Sequence, residues 1–337
     1  MHFVLLNARR RRIASVLALV AALGVVSACG QNLGKSNFAR TTVAAEAGSG
    51  GEVPTGDIND PAVAPAVMRT IDPCPLVGKE ALSSLGTPED PRPSLTSFGT
   101  CMTKVVDAGG KKVTISVDIG ASTYLNDSGG ATVSVVEGLP QVERKSKDGK
   151  SCDVGVMTLR KPERGMSFAI TYDGGDPCAT GRAVAAKAVK SLHSSPAKFQ
   201  AGTGTLTAVD PCTVADPAVL AEVVPHGATS PSSFHACDWT PGSNPRITIG
   251  FRHGIAPEAR EGSKKVDIDG VSTYQKGGSG SNAECKIEWQ HKPWIDDDGV
   301  EIVGVSYQNY DEKKDEAASC EKAAKIAKSV ISKLPKP

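Results

Sequence analysis

The sequence predicts an α+β protein built as two tandem copies of an antiparallel sheet, each with helices packed on one face and two disulfides. Three observations carry this. Asp-Pro-Cys occurs at 72–74, 176–178 and 210–212. Eight of the nine cysteines form two groups of four: Cys74, Cys101, Cys152 and Cys178, then Cys212, Cys237, Cys285 and Cys320, offset by 138, 136, 133 and 142 residues. Between the cysteines run short alternating apolar and polar segments separated by turn residues, the pattern of half-buried antiparallel strands.

The flanking residues repeat as well. TIDPCPLVGKEAL (70–82) matches AVDPCTVADPAVL (208–220), SFGTC (97–101) matches SFHAC (233–237), and KVTISVDIG (112–120) matches RITIGFRHG (246–254). VVEGLPQVER (135–144) then runs parallel to VDIDGVSTYQ (266–275), and AKAVKSL (186–192) to AKSVISKL (327–334). A period of about 137 residues makes each copy a domain with its own core rather than one turn of a solenoid. The copies are expected over 69–195 and 207–337, joined by a linker at 196–206 whose glycines predict movement between them.

Within a copy the order is helix, two strands, a variable loop, three strands, helix. Asp accepts the orphan amide protons of a first turn and Pro suits the first helical position, so Asp72, Asp176 and Asp210 are each expected to cap a helix. The strands of the first copy are Thr100 to Val106, Lys112 to Ile119, Gln141 to Lys145, Cys152 to Leu159 and Met166 to Tyr172, separated by turns such as AGG (108–110), KDGK (147–150) and PERG (162–165). The closing helices keep one apolar face, through Cys178, Ala185, Ala188 and Leu192, then Cys320, Ala324, Ala327, Ile331 and Leu334. The second lacks the proline, and Asp315 or Ser319 supplies its cap. The variable loops span 121–131 and 255–264.

Four cysteines allow three pairings in each copy. Nearest pairing is favoured: Cys74 with Cys101, Cys152 with Cys178, Cys212 with Cys237, Cys285 with Cys320. Each would close a loop of about 25 to 35 residues and contribute about 3–4 kcal/mol. Structural bonds are expected rather than a metal site, because no pair has zinc-ribbon or redox-motif spacing.

The chain begins with a basic patch, Arg9 to Arg12, and an apolar run from Ile13 to Val26. Residues 1–28 read as a signal peptide, its apolar core of about 14 residues being shorter than the ~20 of a membrane span. VSAC, Val26 to Cys29, resembles the lipobox of bacterial lipoproteins, which implies a diacylglyceryl thioether on Cys29 and cleavage before it. Two or more acyl chains hold a protein on a membrane stably. Residues 29–68, rich in Gly, Ala, Ser, Thr and Pro, are then a lipidated N-terminus and flexible tether, and the cell membrane is a partner on its extracytoplasmic side. Loss of 1–28 removes four arginines and no acidic group, turning the formal charge of +1 into −3. That balance, without a basic stripe, excludes a nucleic-acid partner.

The exported N-terminus, the DPC starts, the four-cysteine frame (Cys74, Cys101, Cys152, Cys178 and their second-copy partners) and the alanine-rich last helix resemble a family of small actinobacterial lipoproteins built on a domain of unknown function. The likeness spans nearly all of 70–335, as two copies rather than one. The arrangement is more distantly similar to extracytoplasmic sensor domains of actinobacterial receptor kinases. The resemblance implies location and fold but carries no catalytic residue, cofactor or metal.

Candidate chemistry is sparse. His226, His235, His253 and His291 all lie in the second copy, where a hydrolase would need His253 or His291 to meet a carboxylate in a cleft. There is no G-x-S-x-G nucleophile elbow. GKS at 149–151 lacks the upstream glycine of a phosphate loop, and DDDG at 296–299 lacks the closing glutamate of a calcium loop, so both read as turns. Trp239 and Trp289 are expected beneath the sheet, while Trp294, between Pro293 and Ile295, is a candidate binding residue. The favoured expectation is a non-enzymatic module that binds an envelope protein or a small ligand, without a cofactor; the alternative is an envelope hydrolase.

Overall fold

The computed structural model describes residues 52–126, 130–200, 202–259, 262–294 and 299–337. Two antiparallel sheets, one in each half, confirm the predicted class. The first half carries β1 (Thr87–Pro88), β2 (Arg92–Pro93), β3 (Thr100–Val106), β4 (Lys112–Ser122), β5 (Thr132–Val136), β6 (Leu139–Lys145), β7 (Ser151–Leu159) and β8 (Arg164–Tyr172). The second carries β9 (Ala228–Ser233), β10 (Ala236–Thr240), β11 (Arg246–Gly254), β12 (Ser263–Ile268), β13 (Val271–Gly277), β14 (Asn282–Pro293) and β15 (Val300–Lys313). The shared path is β3-β4-β8-β7-β6-β5 in one and β10-β11-β15-β14-β13-β12 in the other. The strand that leaves the variable loop, β5 or β12, adds a fourth to the three expected after it, and it forms the sheet edge. It pairs through a tight hairpin whose corners, Glu137–Gly138 and Asp269–Gly270, all have positive φ, as a type I′ turn requires.

Among the described residues, five α-helices cover one face or bridge the ends: α1 (Pro65–Met68), α2 (Lys79–Leu82), α3 (Pro177–Ser194), α4 (Pro217–Val223) and α5 (Glu316–Lys333). Asp176 caps α3 by accepting from the Cys178 amide, and Asp315 caps α5 by accepting from Ala318. Asp72 and Asp210 make the same contact to Cys74 and Cys212 at 2.9 Å, but neither starts an α-helix. Cys74–Val77 is a single 3₁₀ turn, and the second copy's helix begins later, at the Asp216-Pro217 pair, where Asp216 is the cap. An Asp-Pro pair therefore begins a turn, and the next few residues decide whether it propagates; proline at 75 and Ala-Asp-Pro at 215–217 restart it.

The four disulfides join Cys74–Cys101, Cys152–Cys178, Cys212–Cys237 and Cys285–Cys320, closing sequence separations of 27, 26, 25 and 35. In each half one ties the opening turn to β3 or β10 and the other ties the closing helix to the sheet. Using the cysteines as anchors corrects the alignment of β4 with β11. Cys101 faces Val117 across the ladder and Cys237 faces Ile249, so Val117 corresponds to Ile249, two residues away from the match that residue similarity alone suggests.

Each half has its own core under its helices, but the cores exchange a side chain. Phe98 of the first half is buried in the core of the second, and Phe234, its repeat equivalent, is buried in the core of the first. The chain around them is close-packed: a methyl on Gly120 would lie 2.7 Å from the Phe234 amide nitrogen, and one on Gly254 would lie 2.5 Å from the Leu95 carbonyl oxygen. Leu95 and Pro231, also repeat equivalents, each offer that carbonyl to an arginine of the opposite half, Arg252 at 3.1 Å and Arg164 at 3.0 Å.

The joining segments are fastened too, which differs from the mobility their composition suggests. Lys198 bridges to Ile71, the Phe199 amide donates to Thr70, and the Leu206 amide donates to the buried Glu301 carboxylate at 2.7 Å. Before the first copy, Val63 and Met68 are fully buried in its core, so the tether's last part belongs to the fold. Apolar anchors at 63, 67 and 68 outweigh the segment's small-residue composition.

Candidate functional site

One concavity lies on the open face of the second sheet, opposite α5. Along β11, Ile247, Ile249 and Phe251 point into the core, which puts Thr248, Gly250 and Arg252 on the other face by strand alternation. Lys286 and Glu288 of β14 and Gly304 and Ser306 of β15 share that face. Together with Thr96 and Ser97 from the first half and Ser233 and His235 from the second, they line a cleft of about 190 Å³. Its floor is two glycines directly opposite each other, Gly250 and Gly304. Glycine inside a strand weakens it and marks a close approach by another group. Among the described residues, no neighbour needs the space: a methyl on Gly250 would meet nothing nearer than the Ala236 methyl at 3.6 Å, and one on Gly304 nothing nearer than Glu288 Cγ at 3.8 Å.

The wall is charged. Arg252 donates to Glu288 Oε1 through Nε at 3.3 Å and Nη2 at 3.0 Å, and Lys286 Nζ lies 3.0 Å from the same oxygen. Burial pushes the Glu288 carboxyl up, but Lys286 and Arg252 outweigh it and hold the group below its ordinary value. Two cations and one carboxylate leave the wall with a formal charge of +1.

The corresponding face of the first half is the reverse. Anchored on the cysteines, Gly250 corresponds to Asp118, Gly304 to Ser167 and Lys286 to Asp153, while Arg252 and Glu288 correspond to Gly120 and Gly155. Ser167 donates to Asp153 at 2.6 Å. Burial raises the Asp118 carboxyl, a hydrogen bond from Thr100 opposes the rise, and Asp153 adds to it.

Of the second-half histidines, His235 borders the cleft and His226, His253 and His291 lie elsewhere. His235, 4 % exposed, donates from Nε2 toward the carbonyls of Arg69 at 3.0 Å and Thr207 at 3.2 Å, one from each half. Burial drops its pKa to about 4 despite those carbonyls, and the Arg69 guanidinium adds to the drop; Arg69 itself pairs with Asp210 at 3.2 Å. His253 faces Glu301 across the ladder, with exposures of 3 % and 1 %. The Glu301 oxygens receive Thr205 Oγ1 and the Leu206 amide. His291 donates to the Gly204 carbonyl at 2.8 Å, and His226 sits in a turn with φ 61. His193, at the end of α3, binds Asp60 at 2.6 Å, which raises its pKa.

Trp294 is half-buried where the halves meet, with ring centroids 5.5 Å from Phe98, 5.7 Å from Phe199 and 5.0 Å from His253. Trp239 donates to the Val224 carbonyl at 3.0 Å and Trp289 is buried in the second core. Glu143, Cys152 and Cys178 cluster closely enough for a metal, but both sulfurs are joined to each other and Glu143 pairs with Arg182 at 2.6 Å. GKS is the expected hairpin turn, with Gly149 donating to Ser146. Cys29, Asp296 to Asp298, and residues 127–129 and 260–261 of the variable loops lie outside the described residues.

The sequence reading missed the cleft. Its signal was the pair of glycines interrupting two apolar alternations, ITIGF and VGVSY, but only the ladder register sets them face to face.

No protein-family model and no curated protein matches the chain. Among solved structures, it is similar at 12 % identity to the di-domain ARO/CYC StfQ from the steffimycin biosynthetic pathway, over 71 % of this chain and 82 % of that one, with a TM-score of 0.15. The di-domain ARO/CYC BexL from the BE-7585A biosynthetic pathway gives 9 % identity, 79 % and 97 % coverage, and a TM-score of 0.14. Likenesses this low carry no argument about the chain.

Proposed function

We propose that the protein is an extracytoplasmic lipoprotein, anchored to the cell membrane through acylated Cys29, that works without catalysis as a ligand-binding or sensing module of the envelope, like the actinobacterial lipoproteins it resembles. The observation that carries the reading is the open cleft over Gly250 and Gly304, whose rim comes from both halves. A binding event there touches the Thr96–Ser97 loop, which leads directly to the exchanged Phe98. Occupancy of the cleft is thereby coupled to the junction, which suits a sensor. Four disulfides suit an oxidising compartment.

The hydrolase alternative draws on His253 and Glu301, which do stand opposite each other. Their burial and the engagement of both Glu301 oxygens by residues 205 and 206 favour a role in fastening the linker. The deciding measurement is peptide mass spectrometry of protein purified from its own membrane. A diacylglyceryl-modified N-terminal Cys29 is the expected result; an unmodified Cys29 removes the anchor.

A further inference from the structure

We infer that the cleft on the second half takes a small polyhydroxylated anion, of the sugar-acid or sugar-phosphate class. This rests on the ligand-binding reading above and names its ligand. The cleft volume, about 190 Å³, is below the ~300–1,000 Å³ of drug-sized sites and equals roughly six waters at ~30 Å³ each. The part of an occupant that the cleft encloses is therefore about the size of one sugar unit.

Its chemistry follows from the lining. Hydroxyls of Thr96, Ser97, Ser233 and Ser306 line it; Ser97 and Ser233 accept from the amides of Gly99 and His235 and keep a proton to donate, which suits a ligand carrying several hydroxyls. Charge selects the sign. Glu288 Oε1 already collects both cations, so the unbalanced positive charge belongs to Lys286, whose side chain is 53 % exposed and whose ammonium has three donors. An anionic group beside Lys286 would complete a pattern that Glu288 leaves one charge short. An apolar ligand would meet Ala236 and Phe251 but leave the Lys286 ammonium and the lining hydroxyls unanswered, and a cationic one would meet Arg252 and Lys286.

The comparison between halves points the same way. The first half fills the position of the glycine floor with Asp118 and Ser167 and puts Asp153 in place of Lys286, so its face is filled and acidic. The second half lacks side chains where a ligand needs room and carries a cation where an anion needs a partner. The glycine floor is not required by packing of the sheet, since added methyls at Gly250 and Gly304 would fit without displacement.

The test is isothermal titration calorimetry of the full disulfide-bonded chain with gluconate, glucose 6-phosphate and glucose. Gluconate and glucose 6-phosphate separate a carboxylate source from a phosphate source, and at least one should bind ten-fold or more tightly than glucose. Lys286→Ser should abolish that preference, and Gly304→Ser, which restores the first half's residue, should weaken binding at least ten-fold with the melting temperature unchanged or raised. Glucose binding as well as the anions, and weakened by Gly304→Ser, would overturn the anion class while leaving the cleft a binding site. No heat from any of the three would overturn the inference, and the acylation of Cys29 would still stand or fall on its own measurement.

Discussion

The two halves share six strands in the same order, two disulfides in the same places and a closing helix over the same face, yet their open faces carry opposite chemistry. One presents Asp118, Ser167 and Asp153; the other presents a glycine floor beside Arg252, Lys286 and Glu288. Buried positions are constrained by a close-packed interior in which even one methylene is felt, whereas an exposed sheet face tolerates replacement. After a duplication the cores stay alike and the surfaces part. The junction lies between these extremes, since Phe98 and Phe234 are equivalent and exchanged while their neighbours Gly99 and His235 differ.

The strongest way to break the comparison is at those phenylalanines. Phe98→Ala and Phe234→Ala each empty a site in the opposite core, and truncation of a buried Phe costs about 3–5 kcal/mol. If the halves are one cooperative unit, each variant lowers a single urea transition monitored by circular dichroism. Two separated transitions, only one of which moves, would show that each half folds by itself.

His235 sharpens the contrast through pH. It is buried and neutral, with a folded pKa of about 4 against an ordinary 6.5. The unfolded chain binds the proton first, so stability should fall by about 3 kcal/mol as pH drops from above 6.5 to about 4. His235→Asn should flatten that slope in denaturation curves taken across the window. The first half has nothing comparable, because Gly99 has no room for a side chain: a methyl there would lie 2.2 Å from the Ile119 carbonyl oxygen. Its own histidine behaves oppositely. His193 has a raised pKa from its bond to Asp60, so its contribution is present below pH 6.5 and fades as pH rises through the raised value.

Next in size come two close approaches between the halves. Gly120→Ala and Gly254→Ala should each cost about 1–3 kcal/mol, read from the same urea midpoints. Gly120 should lose more, since φ +103 also strains any side chain. An unchanged midpoint for either would mean that the opposing loop gives way, and that the junction is softer than its packing implies.

Much of this was legible in the sequence. The strand Thr100 to Val106 has the ends expected of it, and of the three pairings open to each group of four cysteines the favoured nearest one is the one present. The edge strands β5 and β12 were not, because they are short and only half-buried, with Thr132–Val136 beginning right after the variable loop. Nor was the exchange of Phe98 and Phe234, although an aromatic repeated three residues before a cysteine in a chain with only seven phenylalanines was a usable sign. The cleft was hidden by a slip of two residues in aligning β4 with β11. That slip keeps every side chain on its correct face, so hydrophobic pattern cannot detect it; only the hydrogen-bonded register can. It paired Gly250 with Ser116 instead of Asp118, and so concealed that one half is filled where the other is open.

The smallest effect is the one that separates structural from functional reasons for the open face. Glycine in a strand interior is less stable than alanine by about 0.5–1 kcal/mol, through its greater loss of backbone freedom. If Gly304 is retained for the sheet, Gly304→Ala must destabilise. If it is retained for what enters the cleft, the substitution should raise stability by about that amount, since the added methyl meets Glu288 Cγ and Oε1 and the Gly250 carbonyl oxygen at an ordinary 3.8–3.9 Å. Ser167→Gly in the first half should lower stability by a similar amount and also remove the hydrogen bond to Asp153. Opposite signs at equivalent positions, measured by calorimetric melting of the two variants, would mean that the second half gives up stability to keep its face open. Equal signs would return both glycines to the architecture and leave the cleft a by-product of it.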